Sequence, residues 1–276
     1  MLAALCLIPP GRKLFRRTKS VKTDVVSVCG GRYLRITMRV GKDGTPDWTA
    51  VRRAAGHESG QMLLPFGVKP PDSSRIRAFS GHALNQKMMT DAAAVLLRKA
   101  AIDPRLVCVS VYDEHAVMPD LPLLFLPFAS EIRVVTTHAD RYERQRHIAM
   151  IQYGAVLSIF DDPDRMTGSL LTVAPGGIDG LEAYPVMKSG ICLSAIAVDR
   201  RFSGLIDGYL PRVPSAIRAA LPAGCDVSGF MAGLYELSGV KEAGAHPPEF
   251  LRMNGATVPY RDAIKRMAGL DIVTRV

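Results

Sequence analysis

Three ionisable residues in a row, Asp113, Glu114 and His115, follow directly on the apolar stretch Arg105 to Tyr112 (RLVCVSVY). Carboxylates beside an imidazole can pass a proton or hold part of a metal shell, so this run is the first candidate for chemistry. Its bland reading is a solvated polar turn. Lys87, with His82 shortly before it, stands near the start of an amphipathic segment. There an amine facing a cleft between domains could move a proton, and otherwise both are surface groups. Gly176 and Gly177 lie in the turn Ala174-Pro175-Gly176-Gly177-Ile178, and turn amides can face an anion. Thr136, Thr137, His138, Arg141 and Arg144 bring hydroxyl, imidazole and guanidinium groups close together, a set suited to phosphate or carboxylate. Cations at the start of a helix oppose its dipole, which favours an anionic partner there.

Other chemistries find no support in the sequence. No serine sits in a G-x-S-x-G elbow, no phosphate-binding loop of the G-x-x-x-x-G-K type is present, and His57-Glu58 lacks the second histidine of a zinc-protease helix. The five cysteines, Cys6, Cys29, Cys108, Cys192 and Cys225, are odd in number, widely spaced and mostly set in apolar runs, without a C-x-x-C pair. They read as reduced thiols in a cytoplasmic protein, and no metal site is expected.

The elements that must position these residues follow from hydrophobic rhythm. Residues 105–112, 131–137 (EIRVVTT), 155–160 (AVLSIF), 169–174 (SLLTVA) and 190–198 (GICLSAIAV) are continuous apolar or β-branched runs. Strands covered on both faces look like this, and five in succession argue for a parallel sheet. Parallel strands need crossovers. One helix is expected on the stripe Val117, Leu121, Leu124, Phe125 and Phe128. Another starts in a capping box at Asp140 and Glu143, turns Ile148 and Ile151 inward, and stops at Gly154.

Earlier in the chain, 21–28 and 32–40 alternate in the manner of half-buried strands joined at Gly30-Gly31, with Asp43-Gly44 closing the second. A short helix from Pro46 to Ala55 is expected, with Thr45 as its N-cap, Gly56 as its stop and Trp48 packing it. A longer one runs from about 81 to 101, ended by Asp103-Pro104. Asp226 caps a helix bearing Val227, Phe230, Leu234 and Leu237, and a last helix runs from Pro259 to about Met267. The expected organisation is α/β, with a smaller N-terminal α+β domain over 1–103 and a Rossmann-like domain over 104–276.

The chain has 276 residues, 48% of them hydrophobic and 22% charged, enough for one large core or two small ones. The apolar start, MLAALCLI, lacks a preceding basic segment and a cleavage pattern, so it does not read as a signal peptide, and no membrane-spanning helix is expected. The net charge of +9 is concentrated at Arg12, Lys13, Arg16, Arg17, Lys19 and Lys22, with a second group at Arg141, Arg144 and Arg146. Neither is interleaved with stacking aromatics, so both read first as solvated surface. Nucleic acid is the less favoured partner, through residues 12–22, and a small anionic ligand the other. Assembly with further copies of the chain is also expected.

Residues 105 to about 200 resemble, in rhythm, the nucleotide-binding half of Rossmann-type dehydrogenases, and the two-domain order is similar to that of shikimate dehydrogenase. The resemblance implies NADP as cofactor, with Thr136, Thr137, Arg141 and Arg144 placed for its 2′-phosphate. The chain departs from the family after the first strand. Glycine is needed there for the backbone to approach a pyrophosphate, yet none occurs between Arg105 and Ser130. Asp113 and Glu114 stand where phosphate charge would sit. Three functions are therefore expected in order: a Rossmann-like protein with a degenerate dinucleotide site and a ligand-sensing, structural or partner-binding role; an NADP-dependent oxidoreductase of the shikimate dehydrogenase type; and a basic nucleic-acid-associated protein.

Overall fold

The computed structural model describes residues 1–9, 21–41, 45–178, 190–197 and 204–273. The basic residues Arg12, Lys13, Arg16, Arg17 and Lys19 lie outside the described residues, as do Asp43-Gly44 and Val198. The chain forms two compact units, each built from two stretches: Met1–Leu84 with Val213–His246, and Asn85–Arg212 with Pro247–Val276.

The first unit holds a four-stranded sheet of β1 (Leu2–Ile8), β2 (Lys22–Val28), β3 (Gly31–Arg39) and β4 (Met62–Leu63), in the order β2-β3-β1-β4. The expected hairpin forms, but its turn is Cys29-Gly30 and not Gly30-Gly31: β2 and β3 pair antiparallel and close at Val28 and Gly31, with Cys29 (φ 45°) and Gly30 (φ 76°) both left-handed. That is the backbone of a two-residue turn whose twist matches the strands. The apolar N-terminal run is β1, fully buried from Leu2 to Leu5 and parallel to both β3 and β4. One side of the sheet packs Ala3, Leu5, Ile36 and Met38 against Val51 and Ala55 of α1 (Trp48–Ala55), with Trp48 alongside. On the other side Tyr33 meets Phe230 edge to face at 5.1 Å and donates a hydrogen bond to the Ala220 carbonyl at 2.6 Å. Ala220 ends α4 (Ser215–Ala220), and Phe230 belongs to α5 (Val227–Leu237), capped as expected by the Asp226 carboxylate on Gly229 N.

The cap of α1 differs from expectation. Asp47, not Thr45, is the extended residue before the helix, and its carboxylate accepts from Ala50 N at 3.2 Å, so Pro46 lies outside the first turn.

Among the described residues the second unit holds an eight-stranded sheet. Its strands are β5 (Cys108–Tyr112), β6 (Glu131–Val135), β7 (Leu157–Phe160), β8 (Leu171–Ala174), β9 (Ile191–Ser194), β10 (Leu205–Leu210), β11 (Phe250–Met253) and β12 (Ala256–Pro259). Their order is β7-β6-β5-β8-β9-β10-β11-β12. From β7 to β10 every pairing is parallel, and β11 and β12 add antiparallel. Numbered by appearance, the parallel strands lie 3-2-1-4-5-6, the doubly wound Rossmann order. The protein is thus α/β, with a Rossmann-like sheet in one unit and a smaller mixed sheet in the other. All five expected parallel strands are present, and β10 is a sixth. No described helix is long and apolar enough to cross a membrane.

Helices α2 (Ala83–Ala100), α3 (Glu143–Tyr153) and α6 (Tyr260–Val273) stand where the sequence placed helices. Two details are corrected. The crossover from β5 to β6 is not an α-helix but a 3-10 turn, Leu121–Phe125, because Pro122 and Pro127 lack the amide donors a longer helix needs. In α3 the capping box does not form, since Tyr142 precedes the helix with no side-chain cap. The inward residues are Gln145 and Ala149, while Ile151 is exposed.

Gly233 of α5 lies where an added Cβ would stand 2.7 Å from Leu2 Cδ1 and 2.8 Å from its Cδ2. Gly233→Ala is expected to destabilise the protein by about 1–3 kcal/mol by overpacking, against alanine's better helix propensity. Urea unfolding measures it, and a gain in stability would contradict this packing.

Candidate functional site

A doubly wound sheet leaves a crevice at its carboxyl edge where neighbouring strands send their chains to opposite sides, and ligands of such folds bind there. In this chain that point lies between β5 and β8, which pair directly. The two loops leaving them, 113–118 and 175–178, carry Asp113, Glu114, His115, Gly176 and Gly177. Glu114, His115, Gly176 and Gly177 do come together, with Tyr112, around one cleft. The cleft measures about 60 Å³. That is room for about two water molecules, whereas pockets for cofactor-sized ligands run to roughly 300–1,000 Å³.

Both walls are packed. Gly177 is left-handed (φ 99°) and its N–H donates to the Ala174 carbonyl at 3.2 Å, so this amide closes the turn and is not offered to an anion. A Cβ on Gly177 would lie 3.3 Å from Ile196, and one on Gly176 would lie 3.6 Å from Val117. From α2, Gln86 Nε2 donates to the Pro175 carbonyl at 3.2 Å, a contact with no sequence signal.

The loop after β5 is organised by Asp113. Its side chain is 0% exposed and both oxygens are engaged: Oδ1 accepts from Val117 N at 2.7 Å, and Oδ2 from Met118 N at 2.8 Å and from Tyr142 Oη at 2.7 Å. Burial, together with the bond to Asp113, pushes the Tyr142 hydroxyl far above its ordinary pKa, so it stays protonated and donates. Ala116 closes the turn onto the Asp113 carbonyl at 3.0 Å with φ 50°, a left-handed residue in the loop where the family has glycine. Sequence reasoning placed Asp113 at the right loop but had no means of seeing that it points inward. Tyr142 it missed altogether. Behind them Gln145 Nε2 donates to Asp120 Oδ1 at 2.8 Å, a second polar tie between α3 and the same crossover.

The remaining candidates are placed as follows. The Glu114 carbonyl accepts from Thr137 Oγ1 at 2.8 Å, Thr137 N at 3.3 Å and Thr136 Oγ1 at 3.3 Å, while Glu114 Oε2 accepts from Tyr112 Oη at 3.2 Å. The two threonine hydroxyls therefore tie the loop after β6 to the loop after β5. His115, His138, Arg141 and Arg144 are exposed, and neither arginine has an acidic partner among the described residues. Lys87 forms an (i, i+4) ion pair with Asp91 at 2.6 Å on α2. Among the described residues, no three His, Cys, Asp or Glu side chains gather in a metal-binding group. Burial pushes the Cys192 and Cys225 thiols up to about 12 and raises Cys6 and Cys108 as well.

A dinucleotide does not fit these residues in its usual seat. Its pyrophosphate needs free amides at the first turn of a helix, but two of the amides after β5 are held by Asp113 and the segment beyond them is a 3-10 turn. A carboxylate and a phosphate competing for the same donors would repel one another.

No family model and no curated protein sequence matches the chain. Among solved structures it is similar to a shikimate dehydrogenase solved in complex with NADP+, at 10% identity and TM-score 0.31, covering 88% of this chain and 86% of that one. A shikimate 5-dehydrogenase-like protein aligns at 8% identity and TM-score 0.32, covering 87% of each chain. An L-tryptophan dehydrogenase from Nostoc punctiforme aligns at 14% identity and TM-score 0.33, covering 90% of this chain and 78% of that one. Superpositions this loose carry no argument about activity, and the fold rests on the strand order itself.

Asp113→Ala leaves two amides and a hydroxyl without their acceptor and should cost about 3 kcal/mol or more. Tyr142→Phe should cost about 1.5–3 kcal/mol, with the two changes far from additive in a double-mutant cycle. Chemical denaturation of the four proteins measures both, and additive effects would show that the pair does not act as one unit.

Proposed function

We propose that this chain is a Rossmann-type binding protein, not a dehydrogenase: its dinucleotide seat is filled by its own Asp113, and the carboxyl rim serves to recognise a small anionic ligand or a partner. The observation that carries this reading is the pairing of the Asp113 carboxylate with Val117 N, Met118 N and Tyr142 Oη. A carboxylate taking these amides does internally what a phosphate does in a cofactor-binding relative. The loop is then stable without ligand, which a binding scaffold needs and a cofactor site does not. The exposed Arg141 and Arg144 on the same rim favour an anion over a neutral or cationic ligand.

The competing reading is an NADP-linked oxidoreductase, with Thr136, Thr137, Arg141 and Arg144 at the 2′-phosphate and a residue such as Lys87 or Asp113 moving a proton. The strand order favours it. The loop after β5 and the size of the cleft oppose it, as do the threonine hydroxyls already given to Glu114.

Thermal-shift titration with NADP, NAD and sugar phosphates separates the two. A ligand at a hundred times its dissociation constant stabilises by about 2.7 kcal/mol, a shift of several degrees at most sizes. No stabilisation by either dinucleotide is expected. A clear shift with NADP that disappears in the Arg141→Ala, Arg144→Ala double variant would restore the oxidoreductase reading.

A further inference from the structure

Helix α1 turns one face to the small sheet and the other to solvent. Val51 and Ala55 are buried in the core, while Thr49, Arg52, Arg53 and Gly56, at helical spacing, are exposed on the opposite side. The chain continues as a 3-10 turn, Gly56–Gly60, in which Ser59 Oγ donates to the Gly56 carbonyl at 2.8 Å and fixes the turn against the helix end. Among the described residues, Thr49, Arg52, Arg53, Gly56, His57 and Ser59 line a hollow of about 480 Å³. A Cβ added at Gly56 would meet no atom within 4 Å, so space stands open over it.

The charge around this hollow is one-sided. An acid three or four residues away can pair with an arginine on the same helix face. For Arg52 and Arg53 those places hold Trp48, Thr49, Ala50, Ala55, Gly56 and His57, none of them acidic. Neither guanidinium has an acidic partner among the described residues, and Glu58, the acid of the turn, accepts from the Met1 amine at 3.4 Å. The dipole of α1 favours cations at its carboxyl end but does not neutralise them. Its opposition to an anion is reduced at Arg52, whose carbonyl already accepts from Gly56 N.

Guanidinium forks and imidazole N–H groups are strong donors to phosphate oxygens. The hollow also falls in the range of roughly 300–1,000 Å³ typical of small-molecule sites, more than a phosphate group alone fills. We propose that this face of α1 and the turn after it bind a small phosphate monoester, with Arg52 and Arg53 on the phosphate oxygens, Thr49 and His57 completing the donor set, and the organic part in the rest of the hollow. Trp48, the aromatic residue of α1, packs on the core cluster, so no stacking surface of the kind single-stranded nucleic acid uses accompanies the cations. The site belongs wholly to the first unit and does not depend on the reading of the carboxyl rim in the second.

Isothermal titration calorimetry on the full chain at low ionic strength, with inorganic phosphate, glucose 6-phosphate and glucose as probes, tests it. Glucose 6-phosphate should bind more tightly than inorganic phosphate, and glucose should not bind. Arg52→Gln with Arg53→Gln should weaken the ester at least about tenfold through the lost charged hydrogen bonds. Both positions are exposed and glutamine is a comparable helix former, so the fold should survive, as circular dichroism would verify. His57→Gln, outside the helix, should give a smaller loss and is an independent check. The Arg141→Ala, Arg144→Ala protein should bind the ester at this site with unchanged affinity, which separates it from the rim. No heat with either phosphate compound, an ester bound no more tightly than inorganic phosphate, or binding that the glutamine pair leaves unchanged would overturn the proposal. So would a single-stranded oligonucleotide that binds through the same arginines more tightly than the ester, since the surface would then belong to nucleic acid.

Discussion

A buried carboxylate is unfavourable by several kcal/mol unless each oxygen finds donors, and a loop of backbone amides is equally unsettled without an acceptor. The loop after β5 solves both problems at once. Asp113 gives its oxygens to Val117 N and Met118 N, and Tyr142 at the start of α3 adds a third donor from across the crossover. Because Tyr142 is anchored to Asp113, α3 is set against the crossover, and Gln145, one turn on, can reach Asp120. The geometry of the rim follows from this one group.

The consequences spread along the carboxyl edge. With the first loop held down, its Glu114 carbonyl becomes the acceptor for Thr136 and Thr137, which locks the neighbouring loop. The turn at Gly176-Gly177 stands close to Val117 and Ile196, and the cleft that the described residues line between these loops measures about 60 Å³. A fold that ordinarily leaves its rim open for a long charged cofactor has here spent the same backbone donors on itself. The exposed Arg141 and Arg144 give this rim positive charge.

Much of the fold was legible in the sequence, for a physical reason. Parallel strands buried on both faces must be apolar throughout, and RLVCVSVY and SLLTVA state this openly, whereas AVLSIF, apolar as well, forms the edge strand β7 with only Leu157 buried. β10 was missed because LIDGYL breaks the run: Asp207 pairs with Arg252, and the register shifts next to Gly208. β1 escaped because a greasy N-terminus invites comparison with a leader segment, while its real reason for being apolar is burial on both faces of the small sheet. The inward face of α3 misled because two polar residues, Tyr142 and Gln145, are inside through specific hydrogen bonds and an isoleucine, Ile151, is outside. Periodicity weighs hydrophobicity and cannot see a partner across a loop. For the site, the sequence located the correct loops and the absence of glycine. It could not show that Asp113 turns inward, since direction is fixed by Tyr142, far along the chain.

The claim at the centre of this account is that the loop after β5 is closed on Asp113 with no ligand present. Backbone hydrogen exchange at Val117 and Met118 tests it most directly. Both amides lie in a surface loop, yet they should exchange slowly, as buried hydrogen-bonded amides do, and their rates should not change when NADP is added. Fast exchange in the free protein, or protection that appears only with the nucleotide, would contradict it.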